Sequence, residues 1–321
     1  MIKVENLTKE YVIPQKEYKK NIVTILNPPK EKIYGLKNIS FEIKEGEFVG
    51  LVGLNGAGKT TLVKTLSGIL TPTQGNVEVL GYHPALQRKA YTKHISVIMG
   101  QKSSLIYDLP VIESFQFYKD VYQVDQRQFK EKIDMLSEYL GIDRLLHIPV
   151  RKLSLGQRMK CEIGVSFLHE PEIIFLDEPT LGLDILSKRS ILKLLSELNR
   201  KFGTTMILTT HDIEDISSMC ERMILLEHGN ILYDGRTSEF CERKRYKLLE
   251  IDYIRPLDVD GIEGYICEAK QEDEHHVVWK IEAEYLLEVI GHLMEQKESI
   301  SDVNINTVSL TETIYELYEG K

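Results

Sequence analysis

Gly53-Leu54-Asn55-Gly56-Ala57-Gly58-Lys59-Thr60-Thr61 sets three glycines, a lysine and two hydroxyls in nine residues, at the end of the apolar run that starts at Phe48. Glycines let backbone N–H groups converge on an anion, and a helix beginning there adds the partial positive charge of its N-terminus. Leu62, Val63 and Leu66 follow with the spacing of a buried helix face. Strand, glycine loop and helix in that order are the context of a phosphate-binding loop. In such a loop Lys59 reaches the β- and γ-phosphates of a nucleoside triphosphate, and the Thr60 hydroxyl ligates Mg²⁺. Gly53, Asn55, Gly56, Ala57, Gly58, Lys59, Thr60 and Thr61 are therefore the candidate nucleotide ligands.

A second group follows 112 residues later. Ile173-Ile174-Phe175-Leu176 reads as a buried strand that delivers Asp177 and Glu178 at its C-terminal edge, where ligands bind in open α/β sheets. Asp177 would hold Mg²⁺ through water, and Glu178 would act as general base on the attacking water. An apolar run ending in Asp-Glu is commonly a solvated strand end. Its pairing with the glycine loop gives it the catalytic reading.

These side chains need a sheet to position them. Residues 1–13, Ile39–Ile43, Phe48–Leu54, Ile95–Met99, Ile173–Leu176, Met206–Leu208 and Met223–Leu226 carry strand patterns. Helical patterns separate several of them, so the fold class is α/β, a parallel sheet covered by helices. Between Gln101 and Lys152 the pattern turns mostly helical, which predicts a helical subdomain at about 102–170 inserted into the core. Its aromatics Tyr107, Phe115, Phe117 and Tyr118 are expected in the subdomain core. The stretch Pro14–Glu31 holds Pro14, Pro28 and Pro29 among several lysines and reads as a surface insertion.

From about Cys241 the pattern becomes that of a small α+β appendage, residues 241–321. Leu249, Ile251 and Tyr253 alternate, and strand signals at Tyr265–Ala269 and Val277–Ile281 flank the acidic turn Glu272-Asp273-Glu274. An amphipathic helix carries Leu286, Ile290, Leu293 and Met294 on one face. Asp302–Val308 alternates again, and Ser309 with Glu312 forms a capping box for a last helix bearing Leu310, Ile314 and Leu317.

The chain of 321 residues carries a net charge of -9, which argues against a general nucleic-acid binder and against adsorption to anionic lipid. No apolar run approaches the ~18 residues of a membrane span. Cys161, Cys220, Cys241 and Cys267 lack paired spacing and read as reduced thiols of a cytoplasmic protein. His275-His276 has no third metal ligand nearby in sequence and reads as structural.

The glycine loop, the Asp177-Glu178 pair and Leu153-Ser154-Leu155-Gly156-Gln157 together resemble the ATPase subunit of ATP-binding-cassette (ABC) transporters. The pentapeptide is similar to that family's Leu-Ser-Gly-Gly-Gln signature, with Leu155 in place of the first glycine. The resemblance covers about residues 1–240 and implies a P-loop NTPase core binding ATP and Mg²⁺. It further implies that Ser154 and the backbone at Gly156 contact the γ-phosphate held by an opposite subunit, with Gln157 in the same nucleotide site, and that Gln101 senses Mg²⁺ and links the site to a membrane partner. Gly182-Leu183-Asp184 would contact the other subunit, and His211 would bond the γ-phosphate and orient Glu178. Adenine would stack on Tyr11, with Tyr34 as rival.

The expected assembly is a homodimer or heterodimer of ATPase subunits with integral membrane permeases, peripheral on the cytoplasmic side of the cell membrane. Met99–Ser103, Asp108-Leu109-Pro110, the insertion, Arg158–Glu162 and the appendage resemble a bacterial exporter subgroup of drug, polysaccharide or lipid type. Ser104–Phe115 is a candidate lining for the permease groove. The alternatives are an importer ATPase, which shares the catalytic motifs, and a soluble cassette protein. The single lysine-bearing loop and the short interval from Gln101 to Leu153 argue against the soluble forms.

Overall fold

The computed structural model describes residues 1–14, 30–100, 102–217, 219–242 and 246–307. The 15–29 part of the insertion, Gln101 and the expected last helix beyond 307 lie outside the described residues. Strands β1 (Ile2–Pro14), β2 (Lys30–Ile43) and β3 (Phe48–Val52) precede helix α1 (Lys59–Leu66). Next come β4 (Gln74–Val79), α2 (Arg88–Tyr91) and β5 (Ile95–Met99), then α3 (Val111–Tyr122), α4 (Gln126–Leu140) and α5 (Leu155–Phe167). The core resumes with β6 (Ile173–Asp177), α6 (Ile185–Phe202), β7 (Thr205–Thr210), α7 (Ile213–Ser217), β8 (Arg222–Glu227) and β9 (Asn230–Arg236). The chain divides into two compact units, residues 1–237 and 238–321, and α8 (Thr237–Glu242) begins at the division.

In the first unit a six-stranded sheet runs β5-β6-β7-β3-β8-β9. Its first five strands are parallel, and β9 adds antiparallel to β8. All five residues of β3 are buried, as are all six of β7, because a parallel strand with neighbours on both sides and helices on both faces meets no water. A three-stranded antiparallel sheet, β2-β1-β4, packs nearby. Ile2, Val4, Leu7, Phe41 and Val79 from it share one core with Val49, Leu51, Leu62, Leu66 and Phe175.

The order of the central strands makes the site. β6, β7 and β3 are consecutive neighbours, with Asp177 opposite Thr209 and Val52 opposite Thr210. The loops leaving their carboxyl ends therefore emerge side by side, which is where ligands sit in such sheets.

Helix ends follow local chemistry. Asp125 caps α4 through the N–H groups of Arg127 and Gln128, and Gly141 ends it in the left-handed conformation. The aromatic expectation needs correction. Phe115 is fully buried, but Phe117 is 51% exposed because only one face of α3 meets α5, and Tyr107, in the turn before α3, is 59% exposed.

The second unit adds β10 (Tyr246–Tyr253), β11 (Ile266–Asp273), β12 (His276–Glu282), α9 (Leu286–Glu295) and β13 (Ile300–Thr307). Its four antiparallel strands run β11-β12-β10-β13. Leu249, Ile251, Trp279 and Ile281 pack on Val289 and Leu293 of α9. Met294 is 65% exposed. Val289 takes its place on the buried face, completing the 286, 289, 290, 293 stripe that 3.6-residue periodicity requires. Cys161 and Cys220 are buried free thiols and Cys267 is exposed, and burial pushes the Cys161 thiol up to about 12.

Candidate functional site

The glycine loop runs from β3 into α1, whose first residue is Lys59. Gly58 sits at φ 112°, and a Cβ there would lie 2.5 Å from the Gly35 carbonyl, so a side chain is excluded twice over. Lys59 is almost wholly buried and donates to the carbonyls of Gly53 at 2.5 Å and Leu54 at 3.3 Å. Burial lowers its pKa, against the pull of Glu178 and Asp177 toward the charged form. A lysine folded back on its own loop spends two of its three donors on those carbonyls.

Asp177 ends β6. Its Oδ1 accepts from the Thr60 hydroxyl at 3.2 Å and from the Thr209 hydroxyl at 2.8 Å. Thr209 also receives the Glu178 N–H, on its hydroxyl at 3.0 Å and on its carbonyl at 3.2 Å. Glu178 turns the chain at φ 51°, a left-handed conformation that costs a side-chain-bearing residue about 1–2 kcal/mol. The turn leaves its Oε1 4.0 Å from Lys59 Nζ and 3.8 Å from His211 Nδ1. Lys59, Thr60, Asp177, Glu178 and His211 thus form one connected group over the carboxyl ends of β3, β6 and β7. An ammonium beside a hydroxyl–carboxylate pair fits a polyphosphate with a hard divalent cation.

Ser154, Gly156, Gln157 and Asp184 form a second group. Ser154 and Gln157 make a reciprocal capping box at the start of α5, with Gln157 N–H to Ser154 Oγ at 3.2 Å and Ser154 N–H to Gln157 Oε1 at 3.0 Å. Asp184 caps α6, accepting from Ser187 N–H at 2.9 Å and Ser187 Oγ at 2.6 Å, and these bonds lower its pKa. A Cβ on Gly156 would lie 3.0 Å from Ser187 Oγ, so the two helix starts touch only because residue 156 has no side chain. Leu155 lies against Gly182 and is 46% exposed. Ser154, Gly156, Gln157 and Ser187 line an open cleft of about 680 Å³ with Arg144 and Lys160.

Tyr11 faces the glycine loop. Its hydroxyl is 3.2 Å from the Thr61 hydroxyl, and its ring edge approaches Gly35. Tyr34 pairs with Glu10, one residue out of phase with the Tyr11–Ile33 pair, so it points to the other face of the ribbon. Gln101 lies outside the described residues.

Thr209 and the pair Lys188–Asp212 are site residues that motif reading passes over. Two threonines closing the apolar run Met206–Leu208 just before His211 were the available signal for the first.

The family model described as ABC transporter matches residues 36–181. The ABC transporter ATP-binding protein NatA of Bacillus subtilis (strain 168) is 30% identical over 233 residues, covering 73% of this chain and 94% of the relative. The methionine import ATP-binding protein MetN of Protochlamydia amoebophila (strain UWE25) is 29% identical over 305 residues, covering 94% of this chain and 87% of that one. Among solved structures, the ATP-binding cassette MJ0796, a dimer in a post-hydrolysis state bound to ADP and Pi, superposes with a TM-score of 0.61 at 28% identity. That match spans 74% of this chain and 99% of the cassette.

Proposed function

The chain belongs to the ABC transporter family and hydrolyses ATP, and from that premise we propose that it drives export through separate membrane-spanning permeases. The group of Lys59, Thr60, Asp177, Glu178 and His211 carries the hydrolytic part of this reading. Lys59 leaves its loop carbonyls to bind the terminal phosphates of ATP. Thr60 and Asp177 would hold Mg²⁺, which would offset phosphate charge. Glu178 accepts the proton of the attacking water, and His211 keeps the carboxylate turned toward it.

Ser154, Gly156 and Gln157 serve an ATP held by a second ATPase subunit, which accounts for a signature motif that lines an open cleft at the start of α5. Tyr11 stacks on adenine. The chain works on the cytoplasmic face of the membrane, held there by its permeases. Among the described residues no helix is long and apolar enough to cross a membrane.

The export reading rests on two stretches that resemble exporter subunits and that meet in the fold. Glu162 of α5, buried, accepts from the Ser103 hydroxyl and from Ser104 N–H at 2.9 Å. Burial raises its pKa, while these bonds work to lower it. Import is the second reading, favoured by the methionine-import relative whose match runs through the appendage. The test is recovery of the tagged chain from native membranes in mild detergent, with mass spectrometry of what accompanies it. Polytopic permeases without a solute-binding protein support export. A solute-binding protein in the complex favours import, and ribosomes without permeases would remove transport.

A further inference from the structure

Lys188 lies in the first turn of α6, where the helix dipole disfavours a cation, and its side chain is only 24% exposed. It is held there by two carboxylates of another segment: Asp212, by a short hydrogen bond, and Asp215, at 2.9 Å. Asp215 is buried, and its Oδ2 lies 3.5 Å from the Thr210 hydroxyl, which in turn accepts the Asp212 N–H at 3.0 Å. Between Thr210 and Asp212 in the chain sits His211, exposed to solvent, whose Nδ1 faces Glu178 at 3.8 Å. Glu178, His211, Lys188 and Asp215 line one cleft of about 180 Å³ with Gly182 and Thr180. The far end of the lysine's own turn is Asp184, whose carbonyl accepts Lys188 N–H at 2.8 Å.

We propose that Lys188 is a positioning residue for hydrolysis: by pairing with Asp212 and Asp215 it fixes the loop that aims His211 at Glu178. Because the same turn begins at Asp184, it also carries displacements of the Gly182–Asp184 turn to His211. The inference rests on reading Glu178 and His211 as the hydrolytic pair. Lys188 acts through the histidine loop, by way of Asp212 and Asp215.

The test is single-turnover ATP hydrolysis with the full chain in excess, comparing wild type, Lys188→Met, Lys188→Arg, His211→Ala, the Lys188→Met/His211→Ala double variant and Glu178→Gln. Misplacement of a catalytic group by about an ångström costs on the order of 10²-fold, so Lys188→Met is expected to slow the chemical step ~30-fold, with nucleotide affinity changed less than ~2-fold. Lys188→Arg, which keeps the charge, is expected within ~3-fold of wild type. In the His211→Ala background Lys188→Met is expected to add less than ~2-fold, since residues acting as one unit are non-additive. A wild-type rate for Lys188→Met overturns the proposal. So does an undiminished effect in the His211→Ala background, which marks a general structural role. Should Lys188→Met not fold, Asp212→Asn removes one partner of the pair and is read by the same criteria. Turnover surviving in Glu178→Gln would instead defeat the hydrolytic reading itself.

Discussion

At the scale of single residues, the side chains doing the chemistry are held by neighbours as much as by their own positions. Lys59, Thr60 and the Asp177-Glu178 pair were legible because each lies in a short segment whose types and spacing are diagnostic. Thr209 was not. It reaches Asp177 only because β6 and β7 are adjacent in register, and register is not written in either strand alone. Lys188 was hidden for the same reason, being 24 residues from the aspartate it grips. Tyr11 yields the first prediction. Aromatic stacking on a base is worth about 1–3 kcal/mol, so Tyr11→Ala is expected to weaken ATP binding ~5- to 100-fold while saturated turnover stays within ~2-fold. Tyr34→Ala is expected to leave both unchanged. Equilibrium binding of a fluorescent ATP analogue beside steady-state kinetics checks the pair, and reversed effects would move the stacking role to Tyr34.

At the scale of elements, boundaries came through best where the strand is buried on both faces, as at Ile95–Met99 and Ile173–Asp177. β4 and β9 escaped notice because each is half-exposed and polar, Gln74–Val79 and Asn230–Arg236, so neither shows an apolar run. The start of α5 supports a prediction that separates folding from function. Ser154→Ala removes an N-cap worth about 1 kcal/mol, whereas Asp caps as well as Ser. Ser154→Asp should therefore melt within ~2 °C of wild type by the usual stability–temperature slope, yet lose turnover, because its charge would confront a phosphate. Thermal melts and ATPase rates on both variants decide it. A Ser154→Asp protein with normal turnover would take Ser154 away from any phosphate.

At the scale of the whole molecule, His169 adds a pH dependence. It is partly enclosed, with Nε2 3.1 Å from the Ile95 carbonyl and its ring stacked on Tyr122 at 3.7 Å. Burial lowers its pKa from 6.5 to about 4. As pH falls below 6.5 the unfolded chain takes up a proton that the folded chain refuses, so stability declines from pH 6.5 to about 4. His169→Gln is expected to flatten that limb of urea-midpoint against pH, and an unchanged limb would place the titration elsewhere.

The division of the predicted site into a connected group and a separate signature group is itself a whole-molecule property, and it bears the central claim. The most direct measurement is sedimentation of Glu178→Gln with saturating ATP and with ADP, beside its turnover. The expected result is a dimer with ATP, a monomer with ADP, and turnover down about a thousandfold, a loss of roughly 4 kcal/mol of transition-state stabilisation. A protein that remains monomeric in ATP while turning over at the wild-type rate would contradict it.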